Sequence, residues 1–216
     1  MTNRTLVVSI DALITADIPV LRQLPNLGRV MEHASWITDI ECIYPTLTYP
    51  CHATIATGCW PDRTGINNNE IPDFFAKGRM DWYWWREAIQ VPTVVDFARQ
   101  AGLTASTVTW PVMCASGAEY NIGEIWAPRE EDDPTPWFTR ANSPAVAKIF
   151  EANKHMLRWM KTPQMDEFAA KCAADIIRAH RPDLMLLHLS YVDHQRHRLG
   201  VHGDLEHAFR FIDGQM

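Results

Sequence analysis

Three apolar runs along the chain have the pattern of buried strands. Residues 6–10 and 183–189 are almost continuously apolar, and residues 104–110 alternate between apolar and polar side chains. Continuous runs of this length are typical of strands covered on both faces, as in a parallel sheet. Residues 35–43 are a fourth strand candidate. The pattern therefore predicts a sheet whose strands are mostly parallel.

Segments with apolar residues at helical spacing separate and follow these strands. Residues 50–58 fit a short helix, because Pro50 suits a first turn and Gly58 suits the position that ends a helix. The other predicted helices are 18–31 with an interruption at Pro25, 93–101, 143–160, the helix that Thr162-Pro163 opens and Arg181-Pro182 ends, and 205–216. Loops are predicted at 67–69, at 130–136 and in the His- and Asp-rich stretch after residue 189. Strand, helix and strand in this order predict an α/β fold.

The composition fits a globular protein with a core and narrows the classes of partner. Of 216 residues, 47% are hydrophobic and 21% are charged, which is ordinary for one globular domain. The formal net charge is -6 and Lys and Arg are not clustered, which argues against a nucleic-acid groove. Because no segment approaches the roughly 20 apolar residues that span a bilayer, no membrane segment is expected.

The cysteines and the N-terminus bear on the cellular compartment. Five cysteines are present, an odd number, and no C-x-x-C pair occurs. This pattern favours free thiols in a reducing compartment. The apolar run at residues 6–10 is too short for the core of a signal peptide. Together these observations predict a cytoplasmic protein.

Side chains suited to binding metal ions follow two of the predicted strands. Asp11 directly follows the first strand, and Asp193 and His197 follow the strand that ends near residue 189. In open α/β sheets, ligands bind at the carboxyl ends of strands. Carboxylate and imidazole groups suit zinc or manganese, and one helical turn would present Asp193 and His197 to the same ion. Simpler interpretations are that Asp11 caps a turn and that Asp193 and His197 form a surface pair.

The segment from Tyr44 to His52 places the hydroxyl of Thr48 just before a proline-initiated helix. A helix N-terminus stabilises negative charge through its free N–H groups and its dipole. A threonine hydroxyl is a poor nucleophile unless a base or a metal ion lowers its pKa, and Asp11 meeting Thr48 on one cation would do so. The alternative is that Thr48 is an ordinary N-cap residue.

Several segments resemble, in the same order, the signatures of type I phosphodiesterases and nucleotide pyrophosphatases, a family of the alkaline phosphatase superfamily. The family's nucleophile segment is similar to YPTLTYPCHATIATGCWPDRTGI, and its first metal-ligand strand is similar to Ser9-Ile10-Asp11. Two later family stretches are similar to EAIQVPTVVDFARQAGLTASTVTWPV and, for the second ligand loop, to HLSYVDHQRHRLG. The resemblance runs from about residue 5 to the last residue. Four matches in order are far more specific than one.

The resemblance implies roles for individual residues. Thr48 would be the nucleophile that takes the phosphoryl group, and it would share one metal ion with Asp11. Asp193 and His197 would bind a second ion, and Asn69 would bind a non-bridging phosphate oxygen. His202, which borders the second ligand loop, and Trp110, which follows a strand end, are weaker candidates for substrate contact.

The resemblance also implies a fold, cofactors and a substrate class. Residues 1–216 would be the N-terminal part of one alkaline-phosphatase-like catalytic domain, with a small insertion around residues 112–162 as an option. Its core would be a mostly parallel sheet flanked by helices, incomplete at the C-terminus. The cofactors would be two divalent metal ions, Zn²⁺ in the first place and Mn²⁺ as an alternative. The substrate would be a small phosphorylated molecule such as a nucleotide ester.

The chain departs from the family pattern in several places. Cys51 stands where the family has asparagine, Tyr191-Val192 where it has Glu-Pro, and Arg196 where it has glycine. The family's later Ser-Asp-His-Gly segment and its late histidine have no counterpart, so each metal site keeps two ligands when Thr48 is counted. Because catalytic zinc sites typically use three protein ligands and water, the remaining ligands are expected beyond residue 216. The chain alone is then expected to bind metal weakly and to turn over little.

These observations leave several functions open. The leading hypothesis is hydrolysis of a phosphodiester or pyrophosphate bond through a phosphothreonine intermediate. A phosphonate hydrolase of the phosphonoacetate type is the second hypothesis, because that family is a close relative with the same metal layout, and a phosphomonoesterase is the third. The alternative from another class is an inactive binding module, which the missing ligands would favour. The sequence predicts no oligomeric state.

Overall fold

A four-stranded sheet forms the centre of the computed structural model, which describes residues 4–38, 40–72, 81–125, 133–157 and 162–216. The strands are β1 (Thr5–Ile10), β2 (Ala105–Val108), β3 (Tyr120–Ile122) and β4 (Leu184–Leu189). They lie in the order β1-β4-β2-β3, and every pairing in this sheet is parallel. The predicted parallel α/β fold is confirmed. β3 is a strand that the sequence pattern did not predict.

Helices connect and follow the strands in the described part of the chain. The α-helices are α1 (Ile18–Leu21), α2 (Pro25–Glu32), α3 (Thr48–Thr57), α4 (Pro61–Thr64), α5 (Val94–Gln100), α6 (Thr135–Ala141), α7 (Ala147–Asn153), α8 (Gln164–His180), α9 (Tyr191–Leu199) and α10 (Glu206–Gln215). Short 3-10 helices occupy Thr15–Asp17, Arg86–Ala88, Pro144–Val146 and Lys154–Met156. None of these helices combines the length and the apolar character needed to cross a membrane.

The side chains of β4 pack on both faces of the sheet, as its continuous apolar run predicts. Met185 and Leu187 belong to one hydrophobic cluster, together with buried side chains of α2, α6, α7, α8 and α10. Leu184 and Leu186 belong to a second cluster, together with buried side chains of α3 and α5. Because side chains alternate along a strand, His188 shares the face of Leu186 and so faces α3.

The structure corrects two predicted segments near the site. The described part of residues 35–43 contains no strand, because no strand of the sheet pairs with it, and Ile37 and Ile40 are 78% and 73% exposed there. The stretch after residue 189 is the helix α9 and not a loop. The N–H groups at its N-terminus bond to Asp166, a residue of α8. The Asp166 carboxylate accepts the N–H of Ser190 at 3.0 Å and that of Tyr191 at 2.8 Å.

The region between residues 112 and 162 contributes to the core. β3 joins the sheet, and Phe138 of α6 and Phe150 of α7 stack with ring centroids 5.1 Å apart in the first cluster. The single helix predicted over 143–160 is corrected by the structure. Up to residue 157 this segment forms α7 between two 3-10 turns, and residues 158–160 lie outside the described residues. α7 ends at Asn153, a residue type whose side chain competes with the backbone for hydrogen bonds. Of the loop predicted at 130–136, residues 130–132 also lie outside the described residues, and α6 begins at Thr135. The insertion boundary stays a prediction.

Candidate active site

The carboxyl ends of β1, β4 and β2 meet at one edge of the sheet. Asp11 follows β1 directly, and its N–H donates to the Leu189 carbonyl at 2.9 Å, which extends the pairing of β1 with β4. Thr109, one residue past β2, donates its hydroxyl to the His188 carbonyl at 2.8 Å. α9 begins two residues after β4 ends. The topology therefore gathers the residues that follow these three strands.

Helix α3 brings Thr48 to this edge. The N-cap residue of α3 is Leu47, with an extended backbone, and Gly58 ends the helix in the left-handed conformation at φ 68°. Thr48 is thus the first helical residue, and the N-cap interpretation of Thr48 is wrong. Its hydroxyl donates to Oδ2 of Asp11 at 3.2 Å. The sequence-predicted pair of Thr48 and Asp11 therefore lies in direct contact at a helix N-terminus.

Asn69 lies beside the same helix end. Its side-chain oxygen accepts the N–H of Tyr49 at 2.9 Å, which satisfies one of the amides at the start of α3. Tyr49 is the residue after Thr48, so this hydrogen bond holds the Asn69 amide next to the Thr48 backbone. Three of the predicted site residues, Thr48, Asp11 and Asn69, are therefore brought together.

His188 lies between two hydrogen-bond acceptors. Its Nε2 is 3.4 Å from Oδ2 of Asp11, and its Nδ1 is 3.1 Å from the carbonyl oxygen of Thr109. Because a carboxylate and a carbonyl both accept, both ring nitrogens donate and the imidazole is a cation. Burial lowers the pKa of His188, but the hydrogen bond to Asp11 and the charges of Glu124 and Asp11 outweigh it and raise the pKa to about 9.

The charge of Asp11 follows from the same contact. Burial raises the pKa of Asp11, and the hydrogen bond from His188 and the positive charges of His188 and His52 lower it. The net result is a pKa below the ordinary value for aspartate. Asp11 is therefore an anion at neutral pH, held by a cation on one side and by the Thr48 hydroxyl on the other.

His52, one turn along α3 from Thr48, is neutral. Its Nδ1 donates to the Thr48 carbonyl at 2.7 Å, and its Nε2 then accepts the Ser9 hydroxyl at 2.8 Å. Burial and the charge of His188, whose ring centroid is 4.5 Å away, lower the pKa of His52 to about 3. The ring fastens the first turn of α3 to β1, because Ser9 is a β1 residue.

A buried carboxyl group faces His188 from the ring nitrogen opposite Asp11. Oε1 of Glu124 is 3.7 Å from Nδ1 of His188, and the Glu124 side chain is 10% exposed. Burial raises the pKa of Glu124 to about 7. Burial and the charge of Glu124 also raise the pKa of the Tyr49 phenol, so both groups lie in the same buried region.

Asp193 and His197 lie on α9 one turn apart. Oδ2 of Asp193 is 3.5 Å from Nε2 of His197, and the side chains are 31% and 79% exposed. This contact matches the surface-pair interpretation. Burial and the negative charge of Asp11 raise the pKa of Asp193, so the two carboxylates act on each other across the sheet edge.

Arg196 anchors α9 to the loop that follows Asp11. Its Nε donates to the Ala12 carbonyl at 2.7 Å, and its Nη2 pairs with Asp17 at 2.5 Å. A third hydrogen bond goes from Nη1 to the Val201 carbonyl. The departure from glycine at this position therefore fixes the helix that carries Asp193.

The donor chemistry of the site suits divalent ions, but the number of donors falls short. Zn²⁺ and Mn²⁺ both bind oxygen and nitrogen donors. The site offers the mutually repelling carboxylates of Asp11 and Asp193, the hydroxyl of Thr48 and the imidazole of His197. Among the described residues, however, no group of three or more His, Cys, Asp or Glu side chains is placed to hold one ion. The described residues thus supply part of the ligand set that each of the two implied metal sites would need.

The two weaker substrate candidates do not join this group. Trp110 is 1% exposed, donates its indole N–H to the His52 carbonyl at 3.3 Å and packs edge-on against the His52 ring, so it supports α3 from inside the core. His202 is exposed and lines a shallow cavity of about 320 Å³ together with Asp17. A separate cavity of about 860 Å³ is lined by Asp11.

The sequence patterns above assign no role at the site to His52 or His188. In the structure both histidines are hydrogen-bonded, His52 to the Thr48 carbonyl and His188 to Asp11. Two signals pointed to them: His52 is four residues after Thr48, and His188 shares a strand face with Leu186, toward α3. Glu124 carried no such signal, because no strand was predicted before it.

Comparison with known proteins gives matches over nearly the whole chain. The family described as type I phosphodiesterase/nucleotide pyrophosphatase matches residues 5–214. Venom phosphodiesterase 2 of Crotalus adamanteus is 26% identical over 201 residues, which cover 88% of this chain and 20% of that protein. The chain therefore spans about a fifth of the length of this curated relative.

Two solved structures share the fold. Phosphonoacetate hydrolase from Sinorhizobium meliloti 1021, in complex with phosphonoacetate, superposes with a TM-score of 0.62 at 17% identity, covering 99% of this chain and 54% of that one. Murine ectonucleotide pyrophosphatase/phosphodiesterase 5 superposes with a TM-score of 0.60 at 17% identity, covering 99% and 50%. That second structure is an inactive form with a threonine-to-alanine substitution, in complex with AMP. At this identity the likeness shows the fold alone.

Proposed function

The chain belongs to the type I phosphodiesterase/nucleotide pyrophosphatase family, and on that premise we propose that it hydrolyses phosphodiester or pyrophosphate bonds with Thr48 as the nucleophile. The observation that carries the proposal is the hydrogen bond of 3.2 Å from the Thr48 hydroxyl to Asp11 at the N-terminus of α3. A hydroxyl that lies at a helix N-terminus and contacts a carboxylate is well placed for nucleophilic attack on phosphorus.

The proposed reaction has two steps. The Thr48 oxygen bonds to phosphorus while the bond from phosphorus to the leaving oxygen breaks, and water then hydrolyses the resulting phosphothreonine. The helix N-terminus stabilises the negative charge that grows on the phosphoryl oxygens. Asn69, whose own oxygen is engaged by the Tyr49 N–H, presents the donor side of its amide to one of these oxygens. Asp11 keeps the hydroxyl in place, and His188 keeps Asp11 charged and oriented.

We also propose two divalent ions, with Zn²⁺ preferred and Mn²⁺ as the alternative. Asp11 and Thr48 would hold one ion, and Asp193 and His197 the other. Bound ions would lower the pKa of the attacking hydroxyl and stabilise the attacking and leaving oxygens. The like charges of Asp11 and Asp193 support this assignment, because bound cations would relieve the repulsion that contributes to the raised pKa of Asp193.

The proposed substrate is a small nucleotide ester. The AMP complex of the murine neighbour supports a nucleotide, and the inactive state of its threonine-to-alanine form supports a threonine nucleophile. The phosphonoacetate hydrolase neighbour keeps a phosphonate as the second candidate. Assays of a nucleotide ester, an arylphosphonate and a phosphomonoester with the same protein would rank these substrate classes, and the nucleotide ester is expected to react fastest.

Alanine variants of two threonines in the same motif test the nucleophile. The assay measures the release of p-nitrophenol from a p-nitrophenyl phosphodiester with added Zn²⁺. The rate of Thr48→Ala is expected to fall to that of the buffer control. Thr46→Ala is the matched control, because Thr46 is exposed and its hydroxyl donates to the Ile43 carbonyl at 2.9 Å and not to Asp11. Single-turnover conditions, with protein in excess, keep slow chemistry measurable. Equal rates for Thr48→Ala and Thr46→Ala would refute the assignment of Thr48 as the nucleophile.

A further inference from the structure

Two cysteines lie in contact beside the site. The sulfur atoms of Cys42 and Cys51 are 3.5 Å apart. Cys42 is exposed in the segment that precedes α3, and Cys51 is half-buried in the first turn of α3, three residues after Thr48. Both sulfur-bearing residues line the cavity of about 860 Å³ that Asp11 also lines. A covalent S–S bond is about 2.05 Å long, so the two sulfurs need to approach by about 1.5 Å to bond.

We propose that Cys42 and Cys51 form a thiol-modification site that reacts with low-molecular-weight disulfides, such as glutathione disulfide, and ends as a Cys42–Cys51 disulfide. The geometry singles out this pair. Cys59 lies beyond the C-terminal end of α3, and Cys114 and Cys172 are buried in the core. Cys42 is the most exposed of the five thiols, and Cys42 and Cys51 are the only thiols in contact with each other among the described residues.

The chemistry is a double exchange. The thiolate of Cys42 attacks one sulfur of the small disulfide, so that a mixed disulfide forms on Cys42 and one small thiol leaves with the proton. Cys51 then attacks the Cys42 sulfur, and the second small thiol leaves with the Cys51 proton. Two protein thiols are oxidised to one disulfide, and one small disulfide is reduced to two thiols.

The environments of the two thiols set the order of attack. Cys42 is exposed and meets the external disulfide first. Burial, the neighbouring Cys42 and the charge of Asp11 raise the pKa of Cys51 to about 12, which keeps that thiol protonated toward external reagents. In the second step Cys51 attacks a sulfur already beside it, and this proximity compensates for its low thiolate fraction.

The bridge would tie the segment before α3 to the turn that carries Thr48. Because both sulfurs line the cavity beside Asp11, the bridged form narrows the approach to Asp11 and lowers turnover. This last consequence rests on the proposed function, whereas formation of the bridge does not. The two parts are therefore measured separately.

Thiol counting by intact mass tests the bridge. The folded protein is incubated with glutathione disulfide, quenched with acid, denatured and alkylated. Wild type is expected to fall from five alkylated thiols to three with no retained glutathione, and dithiothreitol is expected to restore all five. Intact mass is needed because the chain has no Lys or Arg between Arg29 and Arg63, so one tryptic peptide carries Cys42, Cys51 and Cys59.

Single variants identify the partners. Cys51→Ser is expected to stop at the mixed disulfide on Cys42 and retain one glutathione, and Cys42→Ser is expected to keep all four remaining thiols. Cys59→Ser, the matched control, is expected to lose two thiols as wild type does. Five thiols remaining in wild type, or loss of two thiols in Cys42→Ser, would overturn the proposal. A bridge that forms without any change in the turnover of wild type would overturn only the catalytic consequence.

Discussion

Arg196 holds the helix that carries Asp193 against the loop that follows Asp11, and its removal is expected to destabilise the fold. The guanidinium donates to the Ala12 carbonyl at 2.7 Å and to the Val201 carbonyl, and it pairs with Asp17 at 2.5 Å. The side chain of Arg196 is 8% exposed and that of Asp17 is 10% exposed. Arg196→Met keeps the apolar stem and deletes the charge, which leaves the Asp17 carboxylate buried without its cation.

The expected cost follows from that uncompensated charge. Breaking a buried ion pair by removing one partner costs about 3–5 kcal/mol. Total stabilities of domains are about 5–15 kcal/mol, so this is a large share of the free energy of unfolding. With a denaturant slope of about 2 kcal/mol per molar, the urea midpoint should fall by roughly 2 M.

Urea unfolding followed by far-UV circular dichroism measures this change. Arg198→Met is the matched control, because Arg198 lies on the same helix and is exposed, and its effect should stay within about 0.5 kcal/mol. The double variant Arg196→Met/Asp17→Asn should lose less than the sum of its single variants, because the second change removes the unpaired charge. If Arg196→Met unfolds at the same urea concentration as Arg198→Met, the anchoring role assigned to Arg196 is refuted.

Three further variants test the buried polar groups. The folded-state pKa of Glu124, about 7, lies above its ordinary value of 4.5, so the stabilising contribution of Glu124 is present below pH 4.5 and is lost as the pH rises through 7. In urea titrations, the free energy of unfolding of Glu124→Gln should therefore gain roughly 3 kcal/mol relative to wild type between pH 4.5 and pH 8. A difference that stays constant with pH would contradict the burial of this carboxyl group. Asp166→Ala should lose roughly 2–3 kcal/mol because the first amides of α9 lose their acceptor, whereas the exposed neighbour Glu167→Ala should change little. Asp213→Ala should lose about 1–2 kcal/mol, because its carboxylate accepts two N–H groups at the start of α2, whose N-cap residue has no side-chain acceptor; an unchanged midpoint would show that water replaces it.

Local patterns predicted most of the fold. The apolar runs at 6–10 and 183–189 became β1 and β4, and Pro50 and Gly58 correctly marked a helix. The strand predicted at 35–43 is absent from the described residues of that segment, because a strand depends on a neighbour that its own sequence does not specify. α9 was missed for a related reason, since its N-terminus is capped by Asp166 from a distant helix.

Site residues could be predicted where a local pattern or a family motif marks them. Asp11 was identified from its place after a strand and Thr48 from its place before a helix, both with support from the resemblance, whereas Asn69 was identified by resemblance alone; the three lie together. The roles of His188 and Arg196 depend on partners 177 and 179 residues away, Asp11 and Asp17, and no local pattern connects such positions. Sequence reasoning noted Arg196 only as a departure from glycine, whereas the fold explains it as an anchor.

Acid quenching would trap the covalent bond that we propose between Thr48 and phosphorus. Protein mixed with a p-nitrophenyl phosphodiester and Zn²⁺ is stopped with acid within one turnover, digested with trypsin and sequenced by mass spectrometry across residues 30–63. With Thr48 as the nucleophile, a phosphoryl adduct is expected on Thr48, kept in Thr46→Ala and absent from Thr48→Ala. An adduct on another residue, or substrate turnover by Thr48→Ala at the wild-type rate, would contradict it.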